Sequence, residues 1–338
     1  MNGRTEHAVR RAMLRGVRSG SLVMMTGLVA CVSLATDLHG GDHDIVVGDR
    51  AVVQRCVLDG NARSIAVGMP GGFCYSFDPV RCRVASVWFG GFLDFRPEAT
   101  GRGGQQVPIL GSPRMVGTAE LPLRIAAPDR EPESIRFDGY RRERETGIPT
   151  FLYRVDGMPI EQRVGSFDVD QVTIELQLPG EERSPVYYLT DPEAVERVEL
   201  SDRLRWTAAG VIEIPASERW AQIRLQLPPS TETFVRPEPS TNGRLLYALH
   251  CMSCHTLDGK KRIGPSFADL WKGSRTVVRG QQVAEVTATE EYIRESILQP
   301  QATIVQGYEN ANRMVDIRKT LNEKQVDALV KFLMDLKP

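Results

Sequence analysis

The chain has 338 residues, 41% of them apolar and 25% charged, with a formal net charge of -1 at pH 7. That length suggests about two domains. A near-neutral balance supplies no overall positive field, so no nucleic acid is expected as a partner.

The N-terminus carries Arg4, Arg10, Arg11, Arg15 and Arg18 ahead of an uncharged apolar run, "SLVMMTGLVACVSLA", from Ser21 to Ala35. That run is too short to span a bilayer comfortably, and residues 1–35 read as an export signal. Two processing sites compete. Ser33, Leu34 and Ala35 offer the small residues a signal peptidase needs, whereas Leu28 to Cys31 resembles the bacterial lipobox, which would place a lipid anchor on Cys31. No later segment is long and apolar enough to cross a membrane. The expected location is outside the cytoplasm: periplasmic, or lipid-anchored on the outer side of the cytoplasmic membrane or at the outer membrane. His39 and His43 have no further ligands beside them and are expected in a mobile terminus.

From about Ile45 to Leu227 the apolar pattern has period two. In "QVTIELQL", Val172, Ile174, Leu176 and Leu178 alternate with Gln171, Thr173, Glu175 and Gln177, as a half-buried strand requires. "WAQIRLQL" repeats the device with Ile223, Leu225 and Leu227, as two strands of one sheet would. Asp156-Gly157, between "TFLYRV" and "MPIEQRV", signals a hairpin. Many such short runs, punctuated by Gly and Pro, predict a mainly-β, antiparallel sandwich-like region over residues 45–227, as one domain or two. "YRRERE" and "DRLRWTAAG" are expected on solvated edges. Trp88, Phe89, Phe92 and Phe95 could form a sugar-binding platform, although rings of a sandwich are expected in its core. Cys56, Cys74 and Cys82 allow at most one internal disulfide, and the sequence leaves the pair open. The "GRGG" stretch from Gly101 to Gly104 reads as a flexible turn.

Four prolines and no amphipathic pattern make residues 228–240 a semi-rigid linker. Behind it the period becomes helical. Tyr292, Ile293 and Ile297 share a face of "EEYIRESIL", and Val326, Leu329, Val330 and Leu333 share a face of "EKQVDALVKFLMDL". Thr289 and Asn322 are expected N-caps, and Pro300 ends the first of these helices. A compact, mostly helical domain is expected over residues 241–338, with "TVVRGQQVAEV" as a small hairpin.

That domain contains "HCMSCH", from His250 to His255. Cys-x-x-Cys-His is the attachment signature of haem c. The thiols of Cys251 and Cys254 add across two vinyl groups on adjacent edges of the porphyrin, which places His255 under the iron. One motif implies one covalently attached haem c. A zinc knuckle would need further ligands nearby, yet no Cys or His follows His255. A redox dithiol would need a βαβ context, which is absent. His250 is expected to face solvent.

The fragments "GRLLYALHCMSCHTLDG", "RIGPSF", "TEEYIRESILQPQATIVQGY" and "LNEKQVDALVKFL" resemble class I cytochromes c, particularly the cytochrome domains attached to some bacterial cytochrome c oxidase subunits II. The resemblance implies an all-α class I cytochrome c domain, in which Gly243 and Tyr247 meet Leu329 and Phe332. It implies that the carbonyl of Pro265 accepts the Nδ1 proton of His255. Among the thioethers, Met252 lies inside the CxxC loop and Met334 in the terminal helix, and Met314 stands where the family carries its axial methionine. A thioether ligand favours ferrous iron. The family's proline after this methionine is Val315 here. The stretch "SIAVGMPGGFCYSFDPVRCRVASVWFGGFLDFRPEATGRGG" resembles, loosely over residues 50–230, uncharacterised β domains of planctomycete-type exported cytochromes.

The expected function is that of an exported mono-haem electron carrier rather than an enzyme, working between a dehydrogenase or quinol-linked donor and an acceptor such as a terminal oxidase chain. The β region would serve docking or binding. Lys260, Lys261 and Arg262 are expected to dock an acidic redox partner. Two other readings stand beside this one. The β region could bind a carbohydrate or protein ligand with the cytochrome as its electron outlet, or the haem could be a sensor or catalyst if Met314 does not ligate iron.

Overall fold

The computed structural model describes residues 44–100, 104–117, 119–166, 170–180, 183–192, 198–201, 203–227, 241–252, 254–268, 270–309, 314 and 321–336. The export signal with Cys31, the pair His39 and His43, most of the "GRGG" turn, the linker and Val315 lie outside these residues. Among the described residues, no helix is long and apolar enough to cross a membrane.

The first sheet takes β1 (Asp44–Ile45), β2 (Val52–Arg55), β3 (Ile65–Gly68), β4 (Phe73–Asp78), β5 (Arg83–Asp94), β6 (Ile109–Gly111) and β7 (Arg114–Met115), with the short helix α1 (Arg96–Thr100) after β5. Its order is β1-β5-β4-β3-β2, and β6 and β7 also pair with β5. Strand β4 is buried along its whole length because both faces are covered. Phe73, Tyr75 and Phe77 enter one large core, while Cys74 joins Trp88, Phe92 and Leu93 in a second cluster. Trp88 and Phe92 therefore stack on each other as core rings and offer no face to a sugar.

The chain continues through β8 (Leu123–Ile125), β9 (Ile135–Arg142), β10 (Pro149–Val155), β11 (Met158–Gly165), β12 (Gln171–Gln177), β13 (Val186–Leu189), β14 (Val198–Leu200), β15 (Arg205–Ala208), β16 (Val211–Ile214) and β17 (Trp220–Gln226). A six-stranded sheet runs β14-β17-β12-β11-β10-β9, and a four-stranded sheet runs β15-β16-β13-β8. The Asp156-Gly157 turn closes the β10–β11 hairpin, with φ of 47° and 79° as a type I′ turn demands. The two similar runs are antiparallel neighbours, with Ile174 opposite Ile223. The N-terminal region is thus mainly β, and apolar faces of all three sheets meet in one core. Phe77 of the first sheet stacks on Phe151 of the second at 3.9 Å and 6°.

The C-terminal region holds α2 (Gly243–His250), β18 (Ser274–Arg279), β19 (Gln282–Thr287), α3 (Glu290–Leu298), β20 (Ile304–Val305) and α4 (Glu323–Met334). Each of α2, α3 and α4 starts with a side chain that accepts a backbone N–H: Asn242 from Leu245, Thr289 from Tyr292, and Asn322 from Gln325. Gln325 returns the bond to Asn322, which completes a capping box. The expected hairpin is β18–β19, and β20 adds a third strand to it. This region is therefore not all-α: the segment after α3 returns to pair with β18, satisfying backbone groups that a helix would have satisfied internally.

Helix α2 packs against α4 at very short range. A Cβ on Gly243 would lie 2.2 Å from the Ala328 carbonyl oxygen and 2.5 Å from the Phe332 Cβ. Glycine is what permits the approach. Tyr247 meets Phe332 at 5.7 Å between ring centroids. Ala328, not Leu329, sits against Gly243, and Leu329 is fully buried in the cluster beneath.

Candidate functional site

The last turn of α2 delivers the cysteine–histidine motif. The Cys251 N–H donates to the Tyr247 carbonyl at 2.8 Å, and the His255 N–H donates to the Cys251 carbonyl at 2.9 Å, so the turn continues helical bonding through the motif. The Tyr247 hydroxyl then donates to the His255 carbonyl at 2.8 Å. One helix face thereby fixes both ends of the loop.

His255 is held from three sides. Its Nδ1 lies 2.8 Å from the Pro265 carbonyl oxygen, which has only acceptor capacity, so Nδ1 carries the proton and Nε2 keeps its lone pair. The Phe267 ring lies nearly parallel to the imidazole, with centroids 4.3 Å apart. Gly264 closes the third side, where a Cβ would approach the imidazole Cε1 to 2.4 Å. Burial lowers the His255 pKa, partly opposed by the Pro265 bond, and the ring is a neutral donor at pH 7.

Cys251, Cys254 and His255 open onto one cleft. Met314 lines the same cleft. Tyr292, Ile293 and Ile297 of α3, Leu333 of α4 and Leu270 are among its apolar lining. Pro265 lies in the lining too, so the five residues singled out in the sequence converge on one space.

The polar side of the strand alternation also contributes to the lining, which sequence reasoning missed. Gln222 and Arg224 of β17 line the cleft, as His250 and Cys251 do. Around them the outer face of the six-stranded sheet is tied to the C-terminal region. Arg163 of β11 donates to the Ala248 carbonyl at 2.9 Å, and Arg244 of α2 pairs with Glu143 at 2.6 Å. Leu245 and Ala248 of α2 belong to the same hydrophobic cluster as the sheets.

Two expectations change here. Arg262 is not free for a partner: its guanidinium stacks on Trp220 of β17, 4.6 Å from the ring centroid, and donates to the Met252 carbonyl at 2.7 Å. The planar cation finds an aromatic face within its own chain. Lys260 and Lys261 stay exposed, although Lys260 pairs with Asp258 at 2.7 Å. His250 is half-buried and lines the same cleft, and burial lowers its pKa to about 4.

The sulfur chemistry separates two groups. Cys56, Cys74 and Cys82 are buried free thiols with no disulfide among them. Burial pushes each to about 12, and they stay protonated and inert. Burial likewise pushes Cys251 to about 12, reinforced by nearby Cys254. Among the described residues, no three His, Cys, Asp or Glu side chains gather as a metal-binding group.

Two sulfurs, a tautomer-fixed imidazole, a thioether and a broad apolar cleft define a covalent haem site. The comparisons agree: residues 240–337 match the family described as Cytochrome c. The C-terminal region is a cytochrome c domain, its cofactor is covalently attached haem c, and its function is haem binding with electron transfer. The match covers less than a third of the chain. No curated protein matches. Among solved structures, the crystal structure of YidC from Thermotoga maritima aligns at 12% identity and a TM-score of 0.23, too loose to carry an argument. The alignment covers 59% of this chain and only 54% of that one.

Proposed function

We propose that the protein is an exported mono-haem cytochrome that carries single electrons between redox proteins, with the β region, a sandwich of packed sheets, as a docking element. The convergence of Cys251, Cys254, His255, Pro265 and Met314 on one cleft supports this reading. Cys251 and Cys254 would hold the haem through thioethers, His255 and Met314 would ligate its iron, and Pro265 fixes the His255 tautomer. The haem supplies one-electron oxidation and reduction. Ligation by both His255 and Met314 would leave no open position for water or small ligands, which favours a carrier over a sensor or catalyst. The partner is a protein of the dehydrogenase or terminal-oxidase kind. Residues 241–338 hold 14 basic and 11 acidic side chains, so an acidic partner face suits them.

The ferric absorption spectrum of the purified protein tests the ligand assignment. Methionine ligation gives a sulfur-to-iron charge-transfer band, which Met314→Ala should abolish while opening the iron to cyanide. A wild-type spectrum without that band, together with rapid cyanide binding, would overturn the carrier reading in favour of a sensor or catalyst.

A further inference from the structure

The β region contributes a wall of the haem cleft, and that wall is charged. Arg224 stands on β17 with its side chain only 13% exposed, and it lines the cleft together with Gln222, His250 and Cys251. Three contacts fix its place. Arg224 Nη1 donates to Glu199 of β14 at 3.1 Å, Arg224 Nη2 donates to the Gln222 carbonyl oxygen Oε1 at 3.1 Å, and Gln222 Nε2 donates to Glu175 of β12 at 3.3 Å. Glu199 is 69% exposed, so solvent screens the anion more than the half-enclosed guanidinium.

We infer that Arg224 is a redox-positioning residue supplied by the β region: its fixed positive charge raises the reduction potential of the haem in the cleft it lines. The inference rests on haem c occupying that cleft. Oxidised haem carries one more positive charge than reduced haem, and a cation held in a partly enclosed, poorly screened wall disfavours the oxidised form. Gln222 holds the guanidinium from below, and Glu199 partly offsets its charge from the solvent side. The β region then does more than hold the cytochrome domain in place; it sets the driving force of electron transfer.

Spectroelectrochemical titration of the full-length holoprotein tests this, with covalent haem measured separately as the pyridine haemochrome. Arg224→Gln should shift the one-electron equilibrium about tenfold toward the oxidised form, a fall of about 59 mV. Arg224→Lys, which keeps the charge, should restore most of that fall. Glu199→Gln should shift the potential the opposite way, because it removes the anion beside the arginine. An unmoved potential in Arg224→Gln would overturn the inference. So would equal shifts in the Gln and Lys variants, which would mark a packing effect. A wild-type protein without covalent haem would defeat the cytochrome reading itself, and this inference with it; haem present with an unmoved potential defeats this inference alone.

Discussion

Gly264 is the position where a single methyl group does most damage to the haem site. Its backbone is not in the left-handed region, so alanine is conformationally acceptable there and only space is at issue. The new Cβ would lie 2.4 Å from Cε1, 2.7 Å from Nδ1 and 2.9 Å from Nε2 of His255. Unstrained carbon contacts need about 3.5–4.0 Å, so the ring must move by about 1 Å. Phe267 already stacks on the ring, and Pro265 holds Nδ1 at 2.8 Å, so the movement breaks that bond. Overpacking costs about 1–3 kcal/mol and the lost hydrogen bond about 0.5–1.5 kcal/mol, which together give roughly 2–4 kcal/mol. Denaturant unfolding of full-length Gly264→Ala should show a loss of that size, with an altered ferric haem spectrum from the displaced imidazole. A variant that unfolds at the wild-type midpoint with the wild-type spectrum would refute the close approach and the role given to the Pro265 carbonyl.

Gly243→Ala should destabilise the protein by about 1–3 kcal/mol, because the Ala328 carbonyl lies 2.2 Å from the new methyl and must be pushed away. Alanine favours a helix by about 1 kcal/mol over glycine, so a stabilised variant in thermal unfolding would contradict the tight α2–α4 packing. A double-mutant cycle on Trp220→Ala and Arg262→Ala should give a coupling of about 0.5–2 kcal/mol, and additive effects would show the stacking to be idle. Acid should loosen the junction between the regions. Burial alone would raise the Glu143 pKa, but bonds from Thr146 and Arg244 overcome it and hold the carboxyl below its ordinary 4.5. Its stabilising contribution is thus present above about pH 4.5 and is lost as pH falls through the lowered folded value. Urea midpoints measured at pH 6 and in acid should fall less for Glu143→Gln than for wild type, and equal falls would contradict the assignment.

Local chemistry makes much of this site legible in the sequence. The CxxCH spacing names its own cofactor, because few other uses need two thiols and an imidazole so close. Thr289 and Asn322 are readable as caps from the apolar period that follows each, and Asp156-Gly157 as a hairpin from its turn chemistry. Asn242 caps α2 in the same way, and its place just before "GRLLYALH" is a signal of the same kind that sequence reasoning missed. What alternation cannot tell is what covers a polar face. Gln171, Thr173, Glu175 and Gln177 read as a solvent side, yet Thr173 is 1% exposed and neighbouring Gln222 and Arg224 line the haem cleft. The period of two assigns residues to faces, but the partner of a face comes from topology, which no local pattern encodes. Arg262 shows the same limit. A run of three basic residues reads as one patch, and only the fold places Trp220 beneath its last member.

These ties bear on how the electron path must be built. Domains joined by a linker move relative to each other unless their interface is large and apolar. Here α2 carries the haem-binding motif at its C-terminal end and lends Leu245 and Ala248 to the core of the β region. Arg163 binds the carbonyl of Ala248 in the same turn that leads into Cys251, so a shift of β11 would be felt at the first haem anchor. Arg262 binds the Met252 carbonyl inside the motif while its other face rests on Trp220. The helix that positions the haem is therefore gripped from the β side at Ala248 and Arg244, and indirectly at Met252 through Arg262 resting on Trp220, and cutting the chain before residue 241 would expose Leu245 and Ala248 to water. The β region and the haem-binding helix are thus packed as one body.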